Sequence, residues 1–304
     1  GGRAWAIQAK EWIDPAAGGG EFFIKVGLVL LAVDIEQVAS QGARGLIVAL
    51  AVPPCVIFFG WRLGMRWLPD RMPLVVTLAA GVAVCGASAA TAAAAAVAAP
   101  KSELTLAISL ISVCSIFWLL LQPYLAQAAG FPDNVAGAWL GGSVDLTGAV
   151  VAAAGVVSPQ AEATATIVKL TQNSFLGVYT LGIAAAWMRC GPQESGGGGG
   201  TGKTSNVAYQ LWQRFPKFVL GYLFVSLIMS TAVAPEIRAG AIALARGGAR
   251  FFFAMGFVGI GFSTSLEMLV QQARQPAVLY TYLVLQVFDI ALTLAAAFLA
   301  FGLG

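Results

Sequence analysis

Apolar runs of about 20 residues, the length needed to cross a lipid bilayer as a helix, recur along the whole chain and alternate with short polar segments. This pattern predicts an all-helical protein with little room for strands. Residues 235–250 interleave charges with alanines and predict a short amphipathic helix at the membrane surface. The predicted spans cover residues 22–39, 43–67, 74–99, 104–127, 135–157, 161–189, 215–233, 251–270 and 276–301.

The amino-acid composition identifies the class of protein to which this pattern belongs. The chain has 304 residues, of which 59% are hydrophobic and only 10% are charged, and its mean hydropathy is +0.82. A soluble domain carries roughly 25% charged residues, enough to cover a surface that faces water. We therefore predict an integral, multi-pass membrane protein, embedded in the lipid bilayer of a cell inner membrane or an organelle membrane.

Two glycine-rich stretches interrupt otherwise uniform spans. Ala80–Ala90 reads AGVAVCGASAA, and Met255–Ser265 reads MGFVGIGFSTS. In lipid, backbone that leaves helical geometry is tolerated only where protein buries it or where it lines a wet cavity. Paired interruptions of this kind indicate the substrate site of a transporter. The alternative is close helix packing through small residues.

The positions of these stretches predict an internal repeat. One extra helix at the front, which we expect to be missing from this chain, would give two sets of five spans, each with its interrupted span fourth. An odd number of spans per set makes the second set insert inverted. We therefore expect about nine to ten transmembrane helices, two of them crossed and broken. The predicted parts are an interfacial segment at 1–20, a first inverted repeat at 21–133, and a second at 134–304 with a flexible Gly-rich loop at 191–206.

Three charged residues fall at membrane depth, namely Asp145, Lys169 and Asp289. Such charges cost roughly 2.5–3.5 kcal/mol each on insertion scales and are functional candidates. Asp145 and Lys169 lie at similar distances from the Ser158–Pro159 turn, so they are expected to meet near mid-membrane. They form either an ion pair that fastens two helices or a site in which Lys169 supplies charge for an anion and Asp145 sets its protonation. The fourth span, in contrast, is the most ordinary of the set.

Several function classes are excluded or disfavoured. With no histidine and four scattered cysteines, the chain offers no metal-ligand spacing and no nucleophile–base set, so neither a metal, a cofactor nor an enzyme activity is predicted. A net charge of only +3 does not indicate the basic surface that binding of nucleic acid requires. GGGGTGKT at 197–204 matches the P-loop pattern, but a membrane span rather than a strand precedes it, so nucleotide binding is not predicted.

The order of these motifs resembles the proposed sulfate exporter family of bacterial membrane proteins. Cys85, Gly86 and Ser88 match its ICG-x-SA motif, Lys169 matches its VKLTR motif, and Phe218–Gly221 match FVLGF. Residues 259–264 resemble its GLGL-x-T motif. The family is similar to sodium/proton antiporters and bile-acid transporters, which implies inverted five-helix repeats with crossed, broken helices.

Two positions depart from the family pattern. Gln172 stands where the VKLTR motif has arginine, and Val144 stands before Asp145 where the family has histidine. If that histidine carried protons in the family, coupling here would be altered or lost.

The leading hypothesis is a secondary transporter that binds a small anion, of the sulfate, sulfite or organic sulfonate class, between the two broken helices. The alternatives are a cation/proton antiporter of the same fold and a non-transporting subunit of a larger membrane complex. Coupling to protons or sodium, and assembly as a homodimer or within a membrane complex, stay open. The predicted substrate-binding residues are Gly86, Ser88, Asp145, Lys169, Asn173, Gly261, Ser263 and Thr264.

Overall fold

A computed structural model describes residues 22–31, 35–191, 217–263 and 275–302, and within these ranges the chain forms helices and no strand. A single 3-10 turn, Pro69–Arg71, links the second and third helices. The helices are α1 (22–30), α2 (Ile35–Trp67), α3 (Met72–Ala83), α4 (Ala87–Ala96), α5 (Lys101–Ala128), α6 (Asp133–Ser143), α7 (Thr147–Val157), α8 (Pro159–Ser174), α9 (Leu176–Cys190), α10 (Phe218–Thr231), α11 (Pro235–Ser263) and α12 (Pro276–Phe301).

The described helices confirm a multi-pass membrane protein. Three of them contain stretches long and apolar enough to cross a bilayer, at Val38–Trp67, Lys101–Ala128 and Pro276–Phe301. Three shorter apolar helices, α4, α7 and α10, are also present. The number of crossings and the inverted repeat stay predictions.

The interruption expected in the third span is present. Helix α3 ends at Ala83 and α4 begins at Ala87, with Val84, Cys85 and Gly86 between them outside helical geometry. We call residues 84–86 the first interruption. It sits in the Gly-containing stretch that predicted it.

The fifth span was wrongly predicted as one continuous helix. Helix α6 ends at Ser143, and Val144 (φ −81, ψ 118) and Leu146 (φ −91, ψ 108) are extended before α7 begins. Residues 144–146 form the second interruption. It contains Asp145, whose carboxylate accepts hydrogen bonds from side chains of other helices.

Three other boundaries also differ from prediction. Residues 35–39 belong to α2 and not to the first span. The sixth span is two helices, α8 and α9, which meet at Phe175. The surface helix predicted at 235–250 and the span after it are one helix, α11, so no interruption occurs between Met255 and Ser263; Thr264 and Ser265 lie outside the described residues.

The chain divides into two compact units. The smaller contains α1, the first turns of α2, α10 and α11. The larger runs from Gln41 through α9 and also contains α12, and both interruptions belong to it. The predicted division at residue 134 stays a prediction.

Small residues bring α6 and α8 of the larger unit together. A Cβ atom at Gly137 would lie 2.5 Å from the carbonyl oxygen of Ala161, and one at Gly141 would lie 2.7 Å from that of Ala165. These paired small residues, spaced four apart on both helices, let the two backbones approach closely, as is common between membrane helices. Ser158 caps α8 by accepting from the Ala161 amide at 3.0 Å, which fixes the start of this helix.

The Gly141→Ala substitution is therefore expected to destabilise the protein. No Cβ fits 2.7 Å from a backbone oxygen, so α6 and α8 must separate, and overpacking of this kind costs about 1–3 kcal/mol. Thermal unfolding of the purified protein in detergent measures the effect. Gly182→Ala in α9 is the matched control, since a Cβ there meets nothing within 4 Å. Equal melting temperatures for the two variants would contradict the close approach.

Candidate functional site

The two interruptions touch each other. Gly86 adopts φ +52 and ψ −117, a conformation that suits glycine because it has no Cβ. A Cβ at this residue would lie 3.2 Å from the backbone carbonyl oxygen of Asp145. The conformation favours glycine, and a Cβ would crowd the Asp145 carbonyl. We call this meeting point of the two interruptions the crossing.

Lys169 and Gln172 of α8 bind the carbonyl ends of the helices that stop at the crossing. Lys169 Nζ donates to the Val84 carbonyl oxygen and to Gln172 Oε1, both at 2.8 Å. Gln172 Nε2 donates to the carbonyl oxygens of Ala83 at 2.9 Å and Gly142 at 3.2 Å. The two side chains together satisfy acceptors at the C-terminal ends of both α3 and α6. The positive charge of Lys169 also interacts favourably with the negative end of the α3 helix dipole.

Asp145 is held by side-chain donors from two other helices. Ser115 Oγ of α5 donates to Asp145 Oδ2 at 2.8 Å. Two longer bonds come from α12, from the Tyr282 hydroxyl to Oδ2 and from Gln286 Nε2 to Oδ1, both at 3.5 Å. Asp145 is only 2% exposed, so these bonds replace the water that a carboxylate otherwise needs.

The sequence left open an ion pair between Asp145 and Lys169. Among the described residues, no nitrogen–oxygen contact of ion-pair length joins these two side chains. The two groups do act on each other electrostatically, and so do Lys169 and Asp289. Asp289 is fully buried on α12, and Thr293 Oγ1 donates to its Oδ1 at 3.5 Å. A single lysine therefore stands near two buried carboxylates.

The N-terminal ends of α4 and α7 form the more open side of the crossing. Neither N-cap residue, Gly86 or Leu146, provides a side-chain cap. Ser88 in the first turn of α4 is exposed, and Thr147 at the start of α7 is partly exposed. Asn173 Nδ2 donates to Thr147 Oγ1 at 3.2 Å. The positive helix ends are thus lined by hydroxyl and amide groups.

The structure brings five of the predicted site residues together at this crossing. Gly86, Asp145, Lys169 and Asn173 are linked by the contacts above, and Ser88 follows Gly86 on α4. Gly261 and Ser263 belong to helix α11 in the smaller unit. Thr264 lies outside the described residues. The role of these eight residues in substrate binding stays a prediction.

Sequence reasoning missed most of the uncharged partners. Ser115 and Gln122 lie on α5, which corresponds to the span considered most ordinary, yet both are buried and bonded at the site. Gln172 was noted only as a departure from a motif. The signal that marks them is a polar side chain inside an apolar span, which is expensive in lipid whether or not it is charged.

Comparison with known proteins places the chain among bacterial membrane proteins. The family described as "Conserved hypothetical protein 698" matches residues 19–280. A UPF0324 membrane protein of Nitratidesulfovibrio vulgaris is 34% identical over 325 residues, covering 99% of this chain and 54% of the relative. One from Rhodopirellula baltica is 34% identical over 307 residues, covering 97% and 55%. The chain spans about half the length of these curated relatives. No solved structure matches it.

The Lys169→Met substitution is expected to lower stability by about 1–3 kcal/mol, because it leaves a buried carbonyl without its donor and two carboxylates without a nearby cation. Unfolding in detergent measures the loss. Lys101→Met, at an exposed position at the start of α5, controls for the loss of a lysine. If both variants unfold like the parent protein, Lys169 does not hold the crossing together.

Proposed function

The chain belongs to the conserved hypothetical protein 698 family, and we propose that it works in the membrane as a secondary transporter of a small anion. The observation that carries this proposal is the unequal state of the four helix ends at the crossing. Lys169 and Gln172 occupy carbonyls of α3 and α6, whereas the N-termini of α4 and α7 have no side-chain cap. The ends left for a ligand are the positive ones.

Two helix N-termini at one place form a site suited to an anion. The first amides of a helix lack intrahelical acceptors, and the helix dipole adds roughly half a positive charge there. Carboxylates, phosphates and sulfates bind such ends directly. Ser88 and Thr147 add hydroxyl donors, and Thr147 keeps its own proton for a ligand because it accepts from Asn173. Backbone of this kind at membrane depth is tolerated where it lines a cavity.

Lys169 acts on the anion through its charge. Its ammonium already donates to Val84 and Gln172, so direct contact with a ligand would have to use its third N–H. A buried positive charge acts over several ångströms in a site of low effective dielectric. Removing Lys169 is therefore expected to weaken anion binding as well as the fold.

The substrate class follows from the resemblance to sulfate exporters. Sulfate, sulfite and organic sulfonates present three or more acceptor oxygens, which suits donors that arrive from two helices. Transport by the whole protein and the identity of its substrate are part of this proposal.

A cation/proton antiporter is the second candidate, with Asp145 as the ion-binding carboxylate. It is favoured by the two buried carboxylates that share one lysine. A thermal-shift screen of anions and cations separates the two candidates, because a ligand that binds the folded protein raises its melting temperature. A rise with anions supports the anion transporter, and a rise with cations supports the antiporter.

Thr147→Val should raise the KM for anion transport roughly tenfold, since it removes one hydroxyl donor to a charged ligand and keeps the side-chain shape. It should also lower stability by about 1 kcal/mol, because the buried Asn173 amide loses its acceptor. Uptake of radiolabelled sulfate, sulfite and a sulfonate into liposomes containing the protein gives KM. Thr105→Val on the exposed face of α5 is the control. Absence of flux for all three anions in the unaltered protein contradicts the proposal.

A further inference from the structure

A groove about 490 Å³ in volume runs between α2 and α9 of the larger unit. The residues that line it share one face of each helix and include Leu50, Pro54 and Phe58 of α2 and Val178, Gly182 and Ala186 of α9. Sites for small molecules have volumes of about 300–1,000 Å³. The only hydroxyl group among the lining residues, that of Tyr179, already donates to the Ala49 carbonyl oxygen. The groove therefore suits an apolar ligand.

The groove is about as long as one leaflet of a membrane. Its lining extends from Leu50 to Trp61 on α2 and from Val178 to Cys190 on α9, which is about 17 Å on each helix at the rise of an α-helix. The apolar core of a bilayer is about 30 Å thick, so one leaflet contributes about 15 Å. Leu50 lies near the centre of the α2 span, Val38–Trp67. The groove therefore extends from mid-membrane to one surface.

Helices α2 and α9 run in the same direction along this groove. At the mid-membrane end, the Tyr179 hydroxyl meets the Ala49 carbonyl. Toward the other end, the ring centres of Trp61 and Trp187 lie 5.6 Å apart. Tryptophan is enriched at the depth of the lipid headgroups. The C-terminal ends of both helices therefore reach the same membrane surface, where the groove ends.

Three arginines stand at this surface, namely Arg62 and Arg66 of α2 and Arg189 of α9. All three are exposed, and none forms an ion pair within the described ranges of the chain. Arg62 Cζ lies 5.8 Å from the ring centre of Phe58, a lining residue, so its guanidinium is at the mouth of the groove. Arg66 and Arg189 lie in the last turns of their helices, where the helix dipole favours a positive charge. Arg62 lies more than one turn before the end of α2, so the dipole does not account for it.

We propose that this groove binds one anionic phospholipid, with an acyl chain between α2 and α9 and the phosphate group at Arg62 and Arg189. Charge complementarity identifies the headgroup, because basic pockets between membrane helices bind anionic headgroups and arginine forms paired hydrogen bonds with phosphate. The length of the groove identifies the acyl chain, which extends from the surface to mid-membrane. A helix of a second copy would instead need about twice this length to cross the bilayer.

A bound acyl chain would hold α2 and α9 against the interrupted third span. Ile57 and Ile183 line the groove, and both pack in one apolar cluster with Val76 of α3 and Ala93 of α4. Because these contacts exist only in the folded chain, the lipid should stabilise it. Lipid binding does not depend on the proposed anion transport.

Native mass spectrometry of the purified full chain counts bound lipids and gives their Kd. The probes are palmitoyl-oleoyl phosphatidylglycerol, which is anionic, and phosphatidylcholine with the same acyl chains, which is zwitterionic. We expect one phosphatidylglycerol per chain, bound at least tenfold more tightly than phosphatidylcholine, since each arginine near an anionic headgroup contributes about fivefold. Phosphatidylglycerol should also raise the melting temperature in detergent more than phosphatidylcholine does.

Two variants separate the acyl chain from the headgroup. Gly182→Leu fills the groove, because a Cβ at this lining residue meets nothing within 4 Å, and should abolish lipid binding. Its matched control is Gly240→Leu, the same change at an exposed glycine of α11 with equally open space. Arg62→Gln combined with Arg189→Gln should remove the preference for phosphatidylglycerol. Arg44→Gln, at an exposed position near the other end of α2, should keep that preference.

Absence of bound phosphatidylglycerol, or equal binding by the parent protein and both variants, overturns the proposal. A change in only one of the two variants overturns it too, because the groove and the arginines must act on the same lipid. Dimers that Gly182→Leu dissociates while no lipid binds would place a second copy in the groove and would likewise overturn it.

Discussion

The bonds from Lys169 and Gln172 to three backbone carbonyls are the interaction on which the rest of this structure depends. A helix that stops inside a membrane leaves carbonyl groups without partners, and each costs several kcal/mol in a medium that offers no water. Here two helices, α3 and α6, stop at the same place, and one pair of side chains on α8 serves both of them. The close packing of α6 on α8 through Gly137 and Gly141 keeps that pair within reach.

This arrangement separates the two polarities of the crossing. The negative ends of α3 and α6 are occupied by protein donors, whereas the positive ends of α4 and α7 have no side-chain cap and form the proposed anion site. Asp145 sits between the two sides, with Ser115 bonded to its carboxylate and Gly86 against its backbone. Its carboxylate and its backbone therefore join the two sides of the crossing.

The sequence predicted those parts of the crossing that break a local rule of membrane helices. The first interruption was predictable because Gly86 sits in a stretch too rich in glycine for an ordinary span, and Asp145, Lys169 and Asp289 were identifiable because charge is costly in lipid. The second interruption was not predictable in this way. Val144, Asp145 and Leu146 contain neither glycine nor proline, and only tertiary bonds to Asp145 reveal why the helix stops there.

The opposite error occurred at Met255–Ser265. Its glycines resemble those of the first interruption, yet α11 remains helical through Gly259 and Gly261, since glycine in a membrane span allows a break without requiring one. Gln122 and Ser115 were missed for a related reason. An uncharged polar residue is a weak signal by itself, and its importance depends on partners from helices distant in sequence.

A crystal structure of the protein soaked with selenate tests the proposed anion site most directly, because selenate is a sulfate analogue whose selenium atom is located by anomalous scattering. We predict one selenium peak between the N-termini of α4 and α7, with selenate oxygen atoms within hydrogen-bonding distance of Ser88 and Thr147. A crossing whose N-terminal ends stay free of selenate while the anion binds elsewhere, or does not bind at all, would contradict it.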